Sequence, residues 1–220
     1  MSHFFELEEI EEYVKCRYDI FYFSEKYLGI ELTPNQKSII DSYQNHNKVV
    51  VECPRRRGKT TVNAVWMLWH LIFETNHYIC HIGLGRVMSN LALEKIVGLL
   101  DALPDFFKTG IVRENNTCIR SRDGSCLRFV SSTHQSPIIG MTYNQFIWEE
   151  YTHTEPKKFK EMMDCILPLV DGISDSSIFL VDGYLGRGMY DHILNSKNWH
   201  VNRVPIYKGN VSAFLEGVKR

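Results

Sequence analysis

The 220-residue sequence lacks several features that would settle its class at once. It has no excess of charge: 25 Lys and Arg stand against 26 Asp and Glu, a formal net charge of −1. Such a chain is no polycation built to coat nucleic acid, so any nucleic-acid contact must be a local patch, or patches pooled in an assembly. It has no C-x-x-C pair. The six cysteines, at 16, 53, 80, 118, 126 and 165, are scattered. Reduced, mostly buried thiols in a cytosolic protein are expected, and a zinc site built on Cys80 and His81 would need distant partners. The start, MSHFFELEEIEEY, is acidic and lacks the basic opening of a secretory signal. The longest apolar stretch, VNAVWMLWHLIF, is too short and too interrupted to span a bilayer. There is no internal repeat, no low-complexity linker and no clear second domain. The expectation is a non-secreted, cytoplasmic protein without a membrane partner.

What is present is a composition of 44% apolar and 23% charged residues, enough for one domain with a substantial core. Residues 4–28 read as one or two amphipathic helices with an aromatic, core-facing side. In LTPNQKSIIDSYQNH (32–46), Thr33 caps a helix and Pro34 fits its first position. KVVVEC is a short β-branched run, hence a buried strand. TTVNAVWMLWHLIFET is helical, HYICHIGL a strand, and RVMSNLALEKIVGLLDAL a helix with apolar residues three and four apart. GIVRENNTCIRSRDGSCLRFVSS suggests a hairpin-like insertion with ENN and RDG turns. NQFIWEE is a strand, EPKKFKEMMDCILPLV a helix up to Pro168, SSIFLVDG a strand, GMYDHILN a short helix and WHVNRVPI a last strand. Alternating strands and helices predict an α/β fold with a largely parallel sheet.

CPRRRGKTT, residues 53–61, ends as a phosphate-binding loop but does not begin as one. The pattern is Gly, four residues, then Gly-Lys-Ser/Thr; Cys53 replaces the first glycine and three arginines fill the middle. A strand enters the loop and a helix leaves it, as the motif requires. Backbone amides and the helix N-terminus then cradle phosphates, with Gly58 and Thr61 in the wrap. Lys59 reaches the β- and γ-phosphates of ATP, and Thr60 is a ligand of Mg²⁺. The strand FIWEE, 146–150, supplies two acids at its end. Glu149 is assigned to Mg²⁺, through water, and Glu150 to polarising the attacking water as general base.

Taken together, these segments resemble the ATPase domain of the large terminase subunits of tailed bacteriophages, in particular the myovirus-type enzymes. The resemblance runs through CRYDIFYFSEKYLGIELTPNQKSII, RRRGKTT, MSNLALEKIVGLLDALPDFFKTGIV, DGSCLRFVSSTHQSPIIGMTYNQFIWEE and GRGMYDHIL. It implies an ASCE, RecA-like P-loop NTPase core with a small N-terminal helical segment. It implies ATP hydrolysis that drives double-stranded DNA into a prohead. The implied partners are DNA, a portal protein and a small terminase subunit, in a homo-oligomeric ring that is a monomer in isolation, in the host cytoplasm. By the same resemblance Gln36 recognises adenine, and Arg55 is a phosphate-sensing arginine acting in cis with Lys59 and Glu150. Arg56 and Arg57 face DNA or a neighbouring subunit, or are exposed loop charges.

The sequence departs from the family pattern in three places. Glu149 stands where Asp is usual. Ile139-Gly140 replaces an Arg-Gly pair. FLVDGYLGRG replaces the Thr-rich coupling segment, leaving Asp182 and Gly183 as coupling candidates and Arg187 as a substitute arginine. Asp182 has two readings: it bonds the catalytic water network, or it ends the strand in a turn. The expected layout is residues 1–46 as helical segment with the adenine glutamine, 47–205 as P-loop core and 206–220 as tail. Residues 200–220 have no room for the clustered acids of a two-metal nuclease, so no nuclease activity is expected. Two other readings stay open. A helicase-type ATPase would need a second RecA-like domain, and a nucleotide-binding assembly module would have lost turnover.

Overall fold

A computed structural model describes residues 6–133, 138, 141–172, 176–183, 193 and 195–205. The chain opens with α1 (Leu7–Tyr18), α2 (Ile20–Leu28) and α3 (Pro34–Asn45). Local chemistry sets these boundaries. Asp19 accepts from the amides of Phe21 and Tyr22 to start α2, and Gly29, at φ 64°, ends it in the left-handed region. Thr33 and Gln36 form a reciprocal capping box on α3, with Pro34 in its first turn. The aromatic side of this segment is core: Phe23 is buried edge-on to Phe73 and Phe107.

Then follow β1 (Lys48–Glu52), α4 (Lys59–Phe73), β2 (Tyr78–Gly83), α5 (Gly85–Asp101) and the short α6 (Asp105–Lys108). Strands β3 (Ile111–Asn115), β4 (Cys118–Ser121), β5 (Cys126–Ser131) and β6 (Gln145–Glu149) precede α7 (Pro156–Gly172), β7 (Ser177–Asp182) and β8 (His200–Arg203). The strands form one sheet in the order β3-β4-β5-β2-β6-β7-β1-β8. From β5 to β8 all neighbours are parallel. This is the mostly parallel α/β core expected of a P-loop NTPase.

The strands are apolar on both faces because both faces are covered. Val49 and Val51 of β1, Ile147 of β6 and Phe179 of β7 pack with α3 and α4 residues such as Ile40, Val65 and Leu68. The alternate residues Val50, Trp148 and Leu180 pack with Phe159, Met162 and Ile166 of α7 on the other face. That alternation is the period-two pleat of each strand.

Two expectations are corrected. The region of β3 to β5 is more than a hairpin-like insertion. β3 and β4 are antiparallel neighbours, but β5 pairs with β2 in parallel from Tyr78↔Cys126 to Gly83↔Ser131 and so belongs to the main sheet. Helix α7 also does not stop at Pro168; it continues to Gly172. Pro168 lies on the exposed side, and buried Ile166 and Val170 hold the helix to the sheet on either side of it. The expected helix GMYDHILN lies, apart from Ile193 and Asn195, outside the described residues, as do Ile139-Gly140, Tyr184, Gly186, Arg187 and the tail from 206.

Candidate active site

The loop 53–58 leaves the buried end of β1, where the Cys53 amide donates to Asp182 O of β7 at 3.0 Å. It turns sharply: Arg56 has φ 62° and Gly58 φ 79°. Glycine suits position 58: a Cβ there would carry the left-handed penalty and would push aside the end of the Gln36 side chain. The turn aims the N-terminus of α4 back over the strand ends, and the first amides of a helix have no helical carbonyl to bond.

Lys59, the first residue of α4, is buried and curls back over the loop. Its Nζ lies 3.2 Å from Cys53 O, to which it donates, and 3.9 Å from Glu150 Oε1. Gly183, at the end of β7, makes room for it: a Cβ there would stand 3.1 Å from Lys59 Nζ and 3.2 Å from Arg55 Cγ.

Thr60 and Glu149 are brought together. Thr60 Oγ1 donates to Glu149 Oε2 at 2.9 Å, and Asn63 Nδ2 donates to Glu149 Oε1 at 2.6 Å. Tyr43 in turn donates to Asn63 Oδ1 at 2.9 Å. His81 Nε2 stands 3.7 Å from Glu149 Oε1, a charge-pair distance rather than a hydrogen bond. Burial is the largest influence on Glu149 and alone would raise its carboxyl. His81, Asn63 and Thr60 together outweigh it, and the net shift is downward, so Glu149 is held ionised. A Mg²⁺ ion fits this pair, which offers hard oxygen donors. A hydroxyl that gives its proton to a carboxylate still presents its lone pairs to a cation.

Glu150 is shaped differently. It sits at φ 55°, in the left-handed region where a non-glycine residue is strained. Its amide donates to Val181 O at 2.8 Å and its carbonyl accepts from the His153 amide at 3.1 Å, which lock the turn. The half-buried carboxylate lies between Lys59 and His153, whose Nε2 is 3.5 Å from Glu150 Oε2. Burial, and then the Asp182 charge, raise its pKa more than Lys59, His153 and Arg55 lower it. Two acids adjacent in sequence are thus driven in opposite directions, the separation of roles expected of a metal-side carboxylate and a base.

Asp182 is buried. It accepts from the Thr152 amide at 2.9 Å, from Thr152 Oγ1 and from the Gly183 amide. These bonds tie the turn after Glu150 to the end of β7. Asp182, Glu150 and His153 also place one ligand atom each within 4.8 Å of one another.

Gln36 stands at the loop but is already engaged. Its Oε1 accepts from the Thr33 amide at 2.9 Å and Thr33 Oγ1 at 3.1 Å, and its Nε2 donates to Arg57 O at 3.2 Å. It borders a 790 Å³ cleft with Pro34, Arg56, Gly58 and Val204. A second cavity of 550 Å³, on the side of Glu150, is lined by Arg55, Lys59, Thr60, Lys95, Glu150 and His153. Arg55, Arg56 and Arg57 are all exposed.

The structure therefore groups Arg55, Gly58, Lys59, Thr60, Thr61, Glu150 and, behind them, Glu149, Asp182 and Gly183. Sequence reasoning missed Asn63, Lys95 and His153, and weighed His81 only as a zinc ligand beside Cys80. Asn63 lies one helical turn after Lys59 and Thr60, so helical spacing could have found it. His81 and Lys95 come from elements remote in sequence and carry no local signal.

No protein-family model matches the sequence. Among solved structures, the HK97 bacteriophage large terminase matches with a TM-score of 0.72 at 14% identity, over 88% of this chain and 44% of that one. The large terminase ATPase domain of Thermus phage P74-26 matches with a TM-score of 0.70 at 13% identity, over 89% and 90%. The UvsW helicase of bacteriophage T4 matches with a TM-score of 0.54 at 11% identity, over 80% and 61%. The chain spans less than half the length of the HK97 protein and most of the P74-26 domain. At these identities the likeness is one of fold, shared with terminase ATPase domains and, less closely, with a helicase.

Proposed function

We propose that this chain is a P-loop ATPase that drives double-stranded DNA into a prohead, the motor unit of a terminase large subunit. The observation that carries the ATPase part is the convergence on one loop of Lys59, the Thr60–Glu149 pair and the strained Glu150. The fold likeness to terminase ATPase domains supports the packaging part. The chain acts with DNA, a portal protein and a small terminase subunit, as a ring of its own copies in the host cytoplasm. Residues 1–46 serve as helical segment, 47–205 as core and 206–220 as tail. Among the described residues no helix is long and apolar enough to cross a membrane.

In this reading the loop amides and Lys59 bind the β- and γ-phosphates of ATP. Thr60 and, through water, Glu149 would hold Mg²⁺, which would supply positive charge to neutralise those phosphates. Glu150, its proton affinity raised, takes a proton from the water that attacks the γ-phosphorus. Arg55 reaches the same cavity and offsets charge on the transferring group. Gln36 stands where it can meet the base, but its carbonyl must leave the α3 cap to accept from adenine N6 while its amide donates to N7. The next strand end, Asp182-Gly183, lies beside Lys59 and is tied to the turn after Glu150 through Thr152, and in this reading it is the segment that couples hydrolysis to movement.

Purified protein with and without duplex DNA tests this reading. Lys59→Ala is expected to lose nucleotide binding, and Glu150→Gln to keep it while losing turnover. Translocation along duplex DNA without strand separation distinguishes the packaging motor from the helicase reading. Wild-type protein that binds ATP and never turns it over, alone or with DNA and portal, leaves the assembly-module reading.

A further inference from the structure

Lys95 projects from α5 into the cavity that holds Glu150. Its Nζ donates to Thr61 Oγ1 at 2.7 Å, which fixes the ammonium over the first turn of α4. Thr61 is a neutral partner. Among the described residues no carboxylate lies within ion-pairing distance of Lys95, and the neighbouring Glu94 pairs instead with Arg113 at 2.9 Å. An ammonium that gives one hydrogen to a hydroxyl keeps two donors and its whole charge. Among the described residues, the same cavity wall carries Arg55, Arg56 and Lys59 against one carboxylate, Glu150. Cations gathered in a concave site with so little counter-charge are arranged for an anion.

The position of the base says which part of the anion. Glu150 must stand within reach of the attacking water, hence beside the γ-phosphorus. A lysine on the same cavity wall is therefore on the γ side of the triphosphate, while Gln36 lines a separate cleft that meets this cavity at Arg56 and Gly58. We propose that Lys95 contacts the γ-phosphoryl oxygens of the bound nucleotide and stabilises the charge on them during transfer, a catalytic cation supplied in cis from α5. This rests on reading the cavity as the triphosphate site. Phosphoryl transfer spreads charge over the equatorial oxygens, and a prepositioned donor aimed there acts on the transition state more than on product.

The test compares wild type with Lys95→Ala and Lys95→Arg, each checked for an unchanged melting midpoint. Equilibrium binding of Mg·ADP and of Mg·ADP with aluminium fluoride, a mimic of the group in transfer, is measured beside turnover. Lys95→Ala is expected to bind ADP within about twofold of wild type, while binding of the mimic and kcat fall by about 10²-fold. Lys95→Arg keeps the charge and is expected to retain much of both. An unchanged preference for the mimic over ADP overturns the proposal, as does an equal loss for both ligands, which marks a structural role. Glu150→Gln and Lys59→Ala run alongside. If they lose activity while the Lys95 variants do not, only this proposal fails. If wild type neither hydrolyses ATP nor prefers the mimic, the ATPase reading fails and this proposal with it.

Discussion

At the scale of single residues, the site depends on where charge and backbone are forced. Because the Glu150 carboxyl is raised by burial and Asp182, its titration sits above that of an ordinary glutamate. A base works only when deprotonated, so turnover is expected to fall as pH drops through that raised value. The acid limb of the kcat–pH profile reads it, and a limb at the ordinary glutamate position would show that Glu150 is not the titrating group. Gly58 is a second forced position. Gly58→Ala is expected to cost about 1–2 kcal/mol for the left-handed backbone alone, with more from displacing Gln36. A urea midpoint unchanged from wild type would contradict that. The loop was legible as Gly58-Lys59-Thr60 because its chemistry is local. The opposite pKa shifts of Glu149 and Glu150 were not legible, because His81 and Asp182 come from other strands and only the fold sets their distances.

At the scale of elements, α3 shows one residue serving two purposes. Gln36 closes the capping box with Thr33 and also touches the loop through Arg57 O. Thr33→Ala and Gln36→Ala are each expected to cost about 1 kcal/mol of stability through the cap. Only Gln36→Ala is expected to weaken the preference for ATP over GTP, since only it can meet the base. An ATP/GTP ratio that moves equally in both variants would make the cap, not the amide, responsible. The helix starts at Thr33 and Asp19 could be read directly, because caps are short-range. The continuation of α7 through Pro168 and the pairing of β5 with β2 could not. The first depends on sheet contacts that hold Ile166 and Val170, and the second on a partner strand remote in sequence.

At the scale of the whole molecule, the near-neutral composition conceals buried ionisable groups that make stability depend on pH. His70 and His77 stack with ring centroids 4.5 Å apart. Burial drives both downward, His70 well below the usual imidazole range and His77 to about 4. The folded state resists protonation that the unfolded chain accepts, so stability is full above about pH 6.5 and declines as pH falls toward 4. His77 alone contributes on the order of 3 kcal/mol to that slope. Urea midpoints at pH 7.5 and 5 are expected to differ, and His77→Gln to shrink the difference. An equal slope in that variant would place the acid sensitivity elsewhere.

The left-handed backbone of Glu150 has a consequence for anyone selecting variants of this protein. A residue kept at φ 55° with its carboxylate beside Asp182 weakens the fold at the spot where the chemistry is done. Glu150→Gly releases both the backbone strain and the like-charge contact, and is expected to raise the melting midpoint by a few degrees while abolishing hydrolysis. Heat challenge or expression yield, used as a screen, would enrich inactive clones at this codon. Directed evolution of this chain for robustness therefore has to be scored on turnover at every round, because the most durable molecule in the library need not be a working one.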